Sequence, residues 1–458
     1  MQTGFSAQQL TDPRLVEAER IIKSCVRHGF CPQTCPTYVL LGDENDSPRG
    51  RIDLMRAMLE QGDRPDAKTV GHLDRCLSCL ACETTCAARV DYRHLLERAR
   101  IHIEENFRRP WRERLWRALV AGVLPHPTRL RFALRLGRLA RPFANLLPRP
   151  VTELLKLLPA AVPSVGTPDA APAARGGRRR RVALVMGCVQ QVMGAHINDA
   201  TRRVLERHGC EVVSIGGDAC CGALSLHMGR QIDGLARARA LLTRLTDEID
   251  GAGLDTIVVS ISGCGSTLKD YAHLFASDPR WRDAAAQAAA MTRDVSELLM
   301  EIGLDSRSDM PALPIAYHDA CSLQHGQRVI EPPRRLLKQA GFDVREVPER
   351  HFCCGSAGSY NLLQAEIANQ LGARKAAAIA ATGVRAVAAG NLGCMVQLAH
   401  HSGLPLVHTV ELLDWASGGP LPAALAGLDL AAYPPRAAAT VGAVMADRDE
   451  INYWVYET

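Results

Sequence analysis

Fifteen of the sixteen cysteines fall into two spacing patterns, each used twice. Near the N-terminus, Cys25, Cys31 and Cys35 (CVRHGFCPQTCP) precede Cys76, Cys79, Cys82 and Cys86 (CLSCLACETTC). In the second half, Cys188, the vicinal pair Cys220 and Cys221, and Cys264 return as Cys321, Cys353 with Cys354, and Cys394, leaving only Cys210 outside either pattern. Sulfurs grouped this way suit the holding of iron and inorganic sulfide. Such a chain is confined to folds that bring distant loops together.

The segment from Cys76 reads C-x2-C-x2-C-x3-C, in which three closely spaced thiolates wrap one 4Fe-4S cube and the fourth reaches to another. A zinc ribbon would need two separated C-x2-C knuckles. A disulfide scaffold is expected in a small secreted chain, not in one of 458 residues whose start, MQTGFSAQQLTDPR, lacks a charged-then-apolar signal. The segment from Cys25 has the same frame with His28 at the second position, followed by Gly29 and, after Cys35, Pro36. Crossed ligation would give one cluster to Cys76, Cys79, Cys82 and Cys35, and the other to Cys25, Cys31, Cys86 and His28. A neutral imidazole in place of a thiolate would raise the potential of that cluster. Alternatively His28 is a surface residue beside a three-iron cluster, or this cluster is absent. Gly29 and Pro36 fit a tight wrap around sulfide and equally fit ordinary turns.

The second pattern is an internal duplication: Cys188 to Cys321 and Cys220 to Cys353 are each 133 residues, and Cys264 to Cys394 is 130. Apolar runs (VALVMGC, IAYHDAC), amphipathic stretches, short strands (CEVVSIG, FDVREVP), CCG triplets and alanine-rich helical stretches recur in the same order. Strands alternating with helices predict parallel α/β units, whose strand ends would present four sulfurs per copy along one edge. Gly222 and Gly355 would let adjacent cysteines face one centre. A redox-active disulfide, a zinc site or buried free thiols remain alternatives for these sets.

The stretches CPTYVLLGDENDSPRGRIDLMRAMLE, HLDRCLSCLACETTCAARVDYRHLLERAR, GDACCGALSLHMG, SISGCGSTLKDY, HDACSLQHGQ, HFCCGSAGSYNL and GNLGCMVQLAH together resemble the iron-sulfur subunit family of bacterial glycolate oxidase. That family is related to the cysteine-rich subunits of heterodisulfide reductase, lactate-utilisation and anaerobic glycerol-3-phosphate dehydrogenase complexes. The resemblance covers about residues 15–415. It implies two 4Fe-4S clusters in the N-terminal module, an electron-carrying role, and a separate flavoprotein subunit that oxidises the 2-hydroxy acid. Two departures stand out: His28 replaces a family cysteine, and each repeat ends in a single cysteine, Cys264 or Cys394, where the heterodisulfide reductase branch has CxxC.

The expected organisation is a mostly helical two-cluster ferredoxin-like module (1–105), a basic helical connector and linker (106–181), two tandem α/β CCG domains with parallel strands (182–300 and 312–418), and a tail (419–458). With 47% apolar and 22% charged residues each domain can bury its own core. The balance of 54 basic to 49 acidic residues says little about partners and gives no sign of a nucleic-acid ligand. No apolar stretch reaches the ~18 residues needed to cross a bilayer. From Arg108 to Arg149, eleven arginines face one acid, Glu113, and LRFALRLGRLARPFANLL spaces leucine and arginine helically. This 106–150 segment would either contact an anionic membrane surface or a partner, or pack on its own protein. PDAAPAARGGRRRR (168–181) reads as a flexible, charged linker. The tail aromatics Tyr453, Trp454 and Tyr456 suit a subunit contact or a frayed end.

No G-x-G-x-x-G or phosphate loop is present, so FAD or NAD is expected on another polypeptide, with the hydride chemistry. The leading expectation is a cytoplasmic electron-transfer subunit, bound or not to the inner membrane face, that takes electrons from a flavoprotein dehydrogenase of a glycolate-type acid and passes them towards a quinone or other membrane acceptor. It would hold two 4Fe-4S clusters, one of them 3Fe-4S or histidine-ligated in the alternatives, and a further cluster in the CCG domains if those sets bind one. A second reading places the redox site in the CCG domains, as in heterodisulfide reductase. A third is a metal-stapled scaffold without redox function.

Overall fold

In the computed structural model, residues 1–62, 64–142 and 180–435 are described. The N-terminal module is helical because its capping residues stand where the apolar periodicity begins and ends. Asp12 accepts from the amide of Arg14 to start the helix Pro13–Ser24, with proline at its first position. Ser47 accepts from the Gly50 amide to start Pro48–Gln61, and Gly62, in a left-handed conformation, stops it. These helices and Tyr92–Asn106 bury Ile21, Ile22, Met55, Leu59, Leu95 and Leu96 against one another. The cysteines sit in or beside the short helices Cys31–Thr34, Pro36–Leu41 and Ala81–Thr85, laid over that core.

Two connector helices, Trp111–Val123 and Pro127–Ala140, follow. One side of the pair is anchored: Val120 and Ala121 pack near Met228, and Leu130 and Leu134 near Val192. The linker expected before the first repeat lies mostly outside the described residues, but of its last two arginines only Arg180 is exposed. They open the strand β1, Arg180–Val185, where Arg181 pairs with Glu211 at 3.1 Å and Glu248 at 2.8 Å. Neutralisation by two partners lets a charged residue enter the sheet.

The repeats form two four-stranded, all-parallel sheets of identical topology. With β2 (Cys210–Ile215), β3 (Thr256–Val259) and β4 (Thr292–Asp294), the first has the order β2-β1-β3-β4. With β5 (Pro314–His318), β6 (Asp343–Glu346), β7 (Ala386–Ala389) and β8 (Leu406–His408), the second has the order β6-β5-β7-β8. Their inner strands are apolar on both faces, as buried parallel strands must be. Val182 and Leu184 of β1 and Ile315 and Tyr317 of β5 enter one core shared by the two repeats, whereas Ala183, Val185 and Ala316 enter cores private to each. Strand alternation thus welds the copies together.

The outer strands β4 and β8 escape a reading by pattern because each is three residues long. Each ends in a residue that caps the next helix: Asp294 with Glu297, and His408 with Glu411. The tail turns at Ala423–Leu425, where Leu425 is buried. Tyr453, Trp454 and Tyr456 lie outside the described residues.

Candidate metal centres

The cysteines of the N-terminal module separate into two groups. Cys31 is pushed up to about 11 by burial, with the neighbouring sulfurs of Cys25 and Cys86 adding to the effect, so these three lie together. Cys35 goes to the other group and lines one small cavity with Cys76, Cys79 and Cys82. The loop between these cysteines turns through Ser78 (φ 53°) and Leu80 (φ 63°), left-handed positions that non-glycine residues rarely occupy. This winding directs three sulfurs inward. Burial pushes the thiols of Cys79 and Cys82 well above their ordinary range, so a cation must displace the protons for these sulfurs to act as anions. His28 stands apart from this burial: it is exposed, with its ring 6.2 Å from that of Phe30. Gly29 adopts φ 85°, the left-handed turn that its place in the loop suggested.

Arg51 is a fully buried cation at the second group that the cysteine spacing gave no reason to expect. Its Nη1 lies 3.8 Å from Cys35 Sγ, its Nη2 donates to Asp46 at 3.0 Å, and its Nε donates to the His72 carbonyl at 2.8 Å. Burial opposes its charge, but Cys76, Tyr92, Cys35 and Asp46 together outweigh that penalty and hold it protonated. Tyr92 donates to Cys76 Sγ at 3.7 Å.

In each repeat the four cysteines arrive at the carboxyl ends of the strands. Cys188 and Cys321 follow β1 and β5, the CCG loops follow β2 and β6, and Cys264 and Cys394 lie in the first turns of the helices Ser262–Lys269 and Leu392–Ala399 after β3 and β7. Cys220 Sγ is 3.6 Å from Cys188 Sγ, and Cys221 contacts both Cys220 and Cys264. In the second copy Cys321 Sγ is 3.8 Å from Cys353 Sγ, and Cys354 contacts both Cys353 and Cys394. Gly222 and Gly355 are required twice over. Both are left-handed, and a Cβ on either would fall 2.5 Å from a carbonyl oxygen, that of Gly234 or Ala368. Cys210, in contrast, is buried in the shared core.

The second site has two features that the first lacks. His318, at the end of β5, places a ring nitrogen within a group formed with Cys354 and Cys394, the three donor atoms all within 4.8 Å of one another. Burial pushes its pKa down to about 3, with Lys375 adding to the effect. Lys375 is itself buried and donates to the Glu349 carbonyl at 2.7 Å.

The two modules meet sulfur to sulfur. After burial itself, Cys321 has the largest effect on the raised pKa of the Cys79 thiol, and Cys79 and Cys321 flank one apolar cluster with Leu77, Cys353 and Tyr360. Beside them opens a cavity of about 310 Å³ lined by Cys76, by Cys188, Cys220, Cys221 and Cys264 of the first repeat, and by Cys321, Cys353 and Cys394 of the second. Leu124, Leu130 and Leu134 of the connector close its apolar side, and Arg100, Arg109 and Arg117 line it as well, the last two paired with Asp74 of the same wall at 2.6 and 3.0 Å.

The donor chemistry fits iron and sulfide: each group is made of buried or half-buried sulfurs, all sixteen cysteines are unpaired, and soft thiolates select such centres. Residues 24–91 match the 4Fe-4S dicluster domain, and residues 182–269 and 315–399 each match the cysteine-rich domain. The glycolate oxidase iron-sulfur subunit of Escherichia coli (strain K12) is 37% identical over 416 residues, covering 91% of this chain and 99% of that protein. The chain belongs to the glycolate oxidase iron-sulfur subunit family.

The probable glycolate oxidase iron-sulfur subunit of Bacillus subtilis (strain 168) is 33% identical over 432 residues. Lactate utilization protein A of the same organism, 26% identical, covers 51% of this chain and 99% of its own length. As a member of the glycolate oxidase iron-sulfur subunit family, this chain presents a ferredoxin-type module and two cysteine-rich repeats around one cavity, and this shared cavity is what spacing alone could not reveal. Among the described residues no helix is long and apolar enough to cross a membrane.

Proposed function

We propose that this chain is the iron-sulfur electron-transfer subunit of a glycolate-type 2-hydroxy-acid dehydrogenase, and that it receives electrons from a separate flavoprotein subunit and delivers them to a quinone. The observation that carries this reading is a cavity onto which both repeats and Cys76 open, closed on one side by the connector helices. When bound at these cysteines, 4Fe-4S clusters supply one-electron transfer. The chain's own residues do the rest. Cys35 with Cys76, Cys79 and Cys82 would hold one cluster, and Cys25, Cys31 and Cys86 the other, for which the exposed His28 is the candidate fourth ligand and a three-iron cluster the alternative. Cys188, Cys220, Cys221 and Cys264, and their counterparts Cys321, Cys353, Cys354 and Cys394, would hold the centres of the repeats. Arg51 compensates thiolate charge, and the apolar lining admits a quinone ring while excluding water.

The connector favours a membrane-side acceptor. Its outer surface exposes Trp111, Leu115 and Leu119 on one helix and Phe132, Leu136 and Leu139 on the next, among arginines. Apolar residues flanked by cations match an anionic leaflet, where quinones dissolve.

The test uses the anaerobically loaded full chain, reduced and mixed with a short-chain quinone. Reduction of the quinone should be fast in the wild type and fall at least about tenfold in Leu134→Trp, which fills the cavity, while reduction of the chain by its flavoprotein partner persists. Protein that holds zinc without iron and sulfide, or quinone reduction indifferent to the filled cavity, would refute the reading.

A further inference from the structure

The two repeats share topology, cysteine positions and glycine turns, so a position where they differ in chemistry is informative. Val185 ends β1 and His318 ends β5, each three residues before the first cysteine of its set. Both are 1% exposed. Val185 packs into the apolar core of its repeat. His318 occupies the same place, yet neither of its ring nitrogens has a hydrogen-bond partner. An imidazole buried without partners loses both of its hydrogen bonds to water, a penalty that a valine would avoid. The same ring is grouped with Cys354 and Cys394 within 4.8 Å. A metal would satisfy one nitrogen outright.

A second difference points the same way. Gly222 and Gly355 abut Gly234 and Ala368, which aligns the helices Gln231–Asp250 and Ala365–Ala380 and sets Lys375 against Leu241. Leu241 is an ordinary core residue, whereas Lys375 brings a cation near Cys353 and Cys354. The second repeat therefore carries a nitrogen donor and a compensating charge where the first has hydrocarbon.

We infer that His318 is a nitrogen ligand to the metal centre of the second repeat, which makes that site a four-sulfur, one-imidazole site and the first a four-sulfur site. The inference rests on the reading that the repeats hold iron-sulfur centres, and it adds that the two centres are unequal.

The experiment uses full-length protein loaded anaerobically with iron and sulfide. Loss of iron and sulfide in Cys354→Ser tests the underlying reading; no loss would sink both. Given that loss, His318→Val, which installs the residue that the first repeat already tolerates, should release iron from the second site to a chelator at least about tenfold faster than wild type. His318→Cys, which keeps a donor at the position, should restore retention. In protein labelled with 15N-histidine and carrying His28→Gln, pulsed electron paramagnetic resonance of the reduced centre should show a directly bonded nitrogen that His318→Val abolishes. Equal release from wild type and His318→Val, or a bonded nitrogen that survives His318→Val, overturns the assignment and leaves the iron-sulfur reading standing.

Discussion

The hydroxyl of Tyr360 donates to the carbonyl oxygen of Arg75 at 2.9 Å, joining the residue before Cys76 to the short helix Tyr360–Leu363 that follows Cys353 and Cys354. Tyr360 is buried, so the bond is shielded from water and clamps the ferredoxin-type module to the second repeat. Thr84 with His325 Nδ1 at 2.7 Å, and Arg93 donating to the Gly326 carbonyl at 3.2 Å, reinforce the same seam.

Tyr360→Phe keeps the ring and leaves the Arg75 carbonyl without that donor, which costs about 1–2 kcal/mol in denaturant unfolding. Because the loosened seam is the one between Cys79 and Cys321, reduction of the repeats after rapid reduction of the N-terminal module should slow, as followed by stopped-flow absorbance. An unchanged rate would show that the seam is rigid without this bond.

Removing the cation at the second group should make its cluster harder to reduce. Arg51→Gln deletes a buried positive charge 3.8 Å from Cys35 Sγ, and reduction adds negative charge there. The potential should fall by on the order of 100 mV. Arg51→Lys should recover much of that shift. Potentiometric titration followed by electron paramagnetic resonance decides, and equal potentials in all three proteins would restrict Arg51 to holding Asp46.

These two residues show where legibility along the chain ends. The grouping of Cys76, Cys79 and Cys82 follows from short spacing, and the duplication from a constant offset, because both are one-dimensional. Tyr360 and Arg75 are 285 residues apart, and nothing in either neighbourhood announces the other. Arg51 defeats expectation differently: arginine is seldom fully buried, and only the convergence of Asp46, His72 and Cys35 makes the position tenable. His318 did leave a trace, as the one polar residue in a strand whose duplicate ends in valine.

The CCG glycines should tolerate no side chain. Alanine at 355 meets both a left-handed backbone and an oxygen 2.5 Å from its Cβ, so Gly355→Ala should destabilise the second repeat by at least about 2 kcal/mol and reduce the iron it retains. Ala357→Gly, at φ 36° in the same loop, relieves strain and should stabilise by about 0.5 kcal/mol. Chemical denaturation with iron and sulfide analysis checks both.

The joint between Tyr92–Asn106 and the first repeat should weaken with rising pH. Burial would lower the pKa of His94, but Asp270 and Asp91 outweigh it and hold the imidazolium up at about 10 from an ordinary 6.5. A pKa raised by folding gives stability that is whole below pH 6.5 and disappears as pH climbs through about 10. Burial likewise raises Glu97 from 4.5 to about 7, so its ionisation weakens the joint in the same direction at lower pH. Denaturation midpoints between pH 6.5 and 10 should decline in wild type and flatten in His94→Gln. Parallel curves would remove His94 from the account.

The connector should bind anionic vesicles through its apolar outer stripe. Trp111 is 64% and Leu139 74% exposed, and Leu115, Leu119, Phe132 and Leu136 continue the two stripes at helical spacing. Burying one such side chain contributes about 1.5–3 kcal/mol at full transfer, and interfacial insertion realises part of it. Leu136→Glu with Leu139→Glu removes two contacts and adds two like charges facing the lipid, so co-sedimentation with phosphatidylglycerol vesicles should drop at least about tenfold while quinone reduction in detergent persists. The inner residues Leu130 and Leu134 are buried beside the cavity and untouched by these changes, which separates membrane binding from delivery of electrons. Binding that persists in the double variant but vanishes in high salt would assign the attraction to the arginines alone.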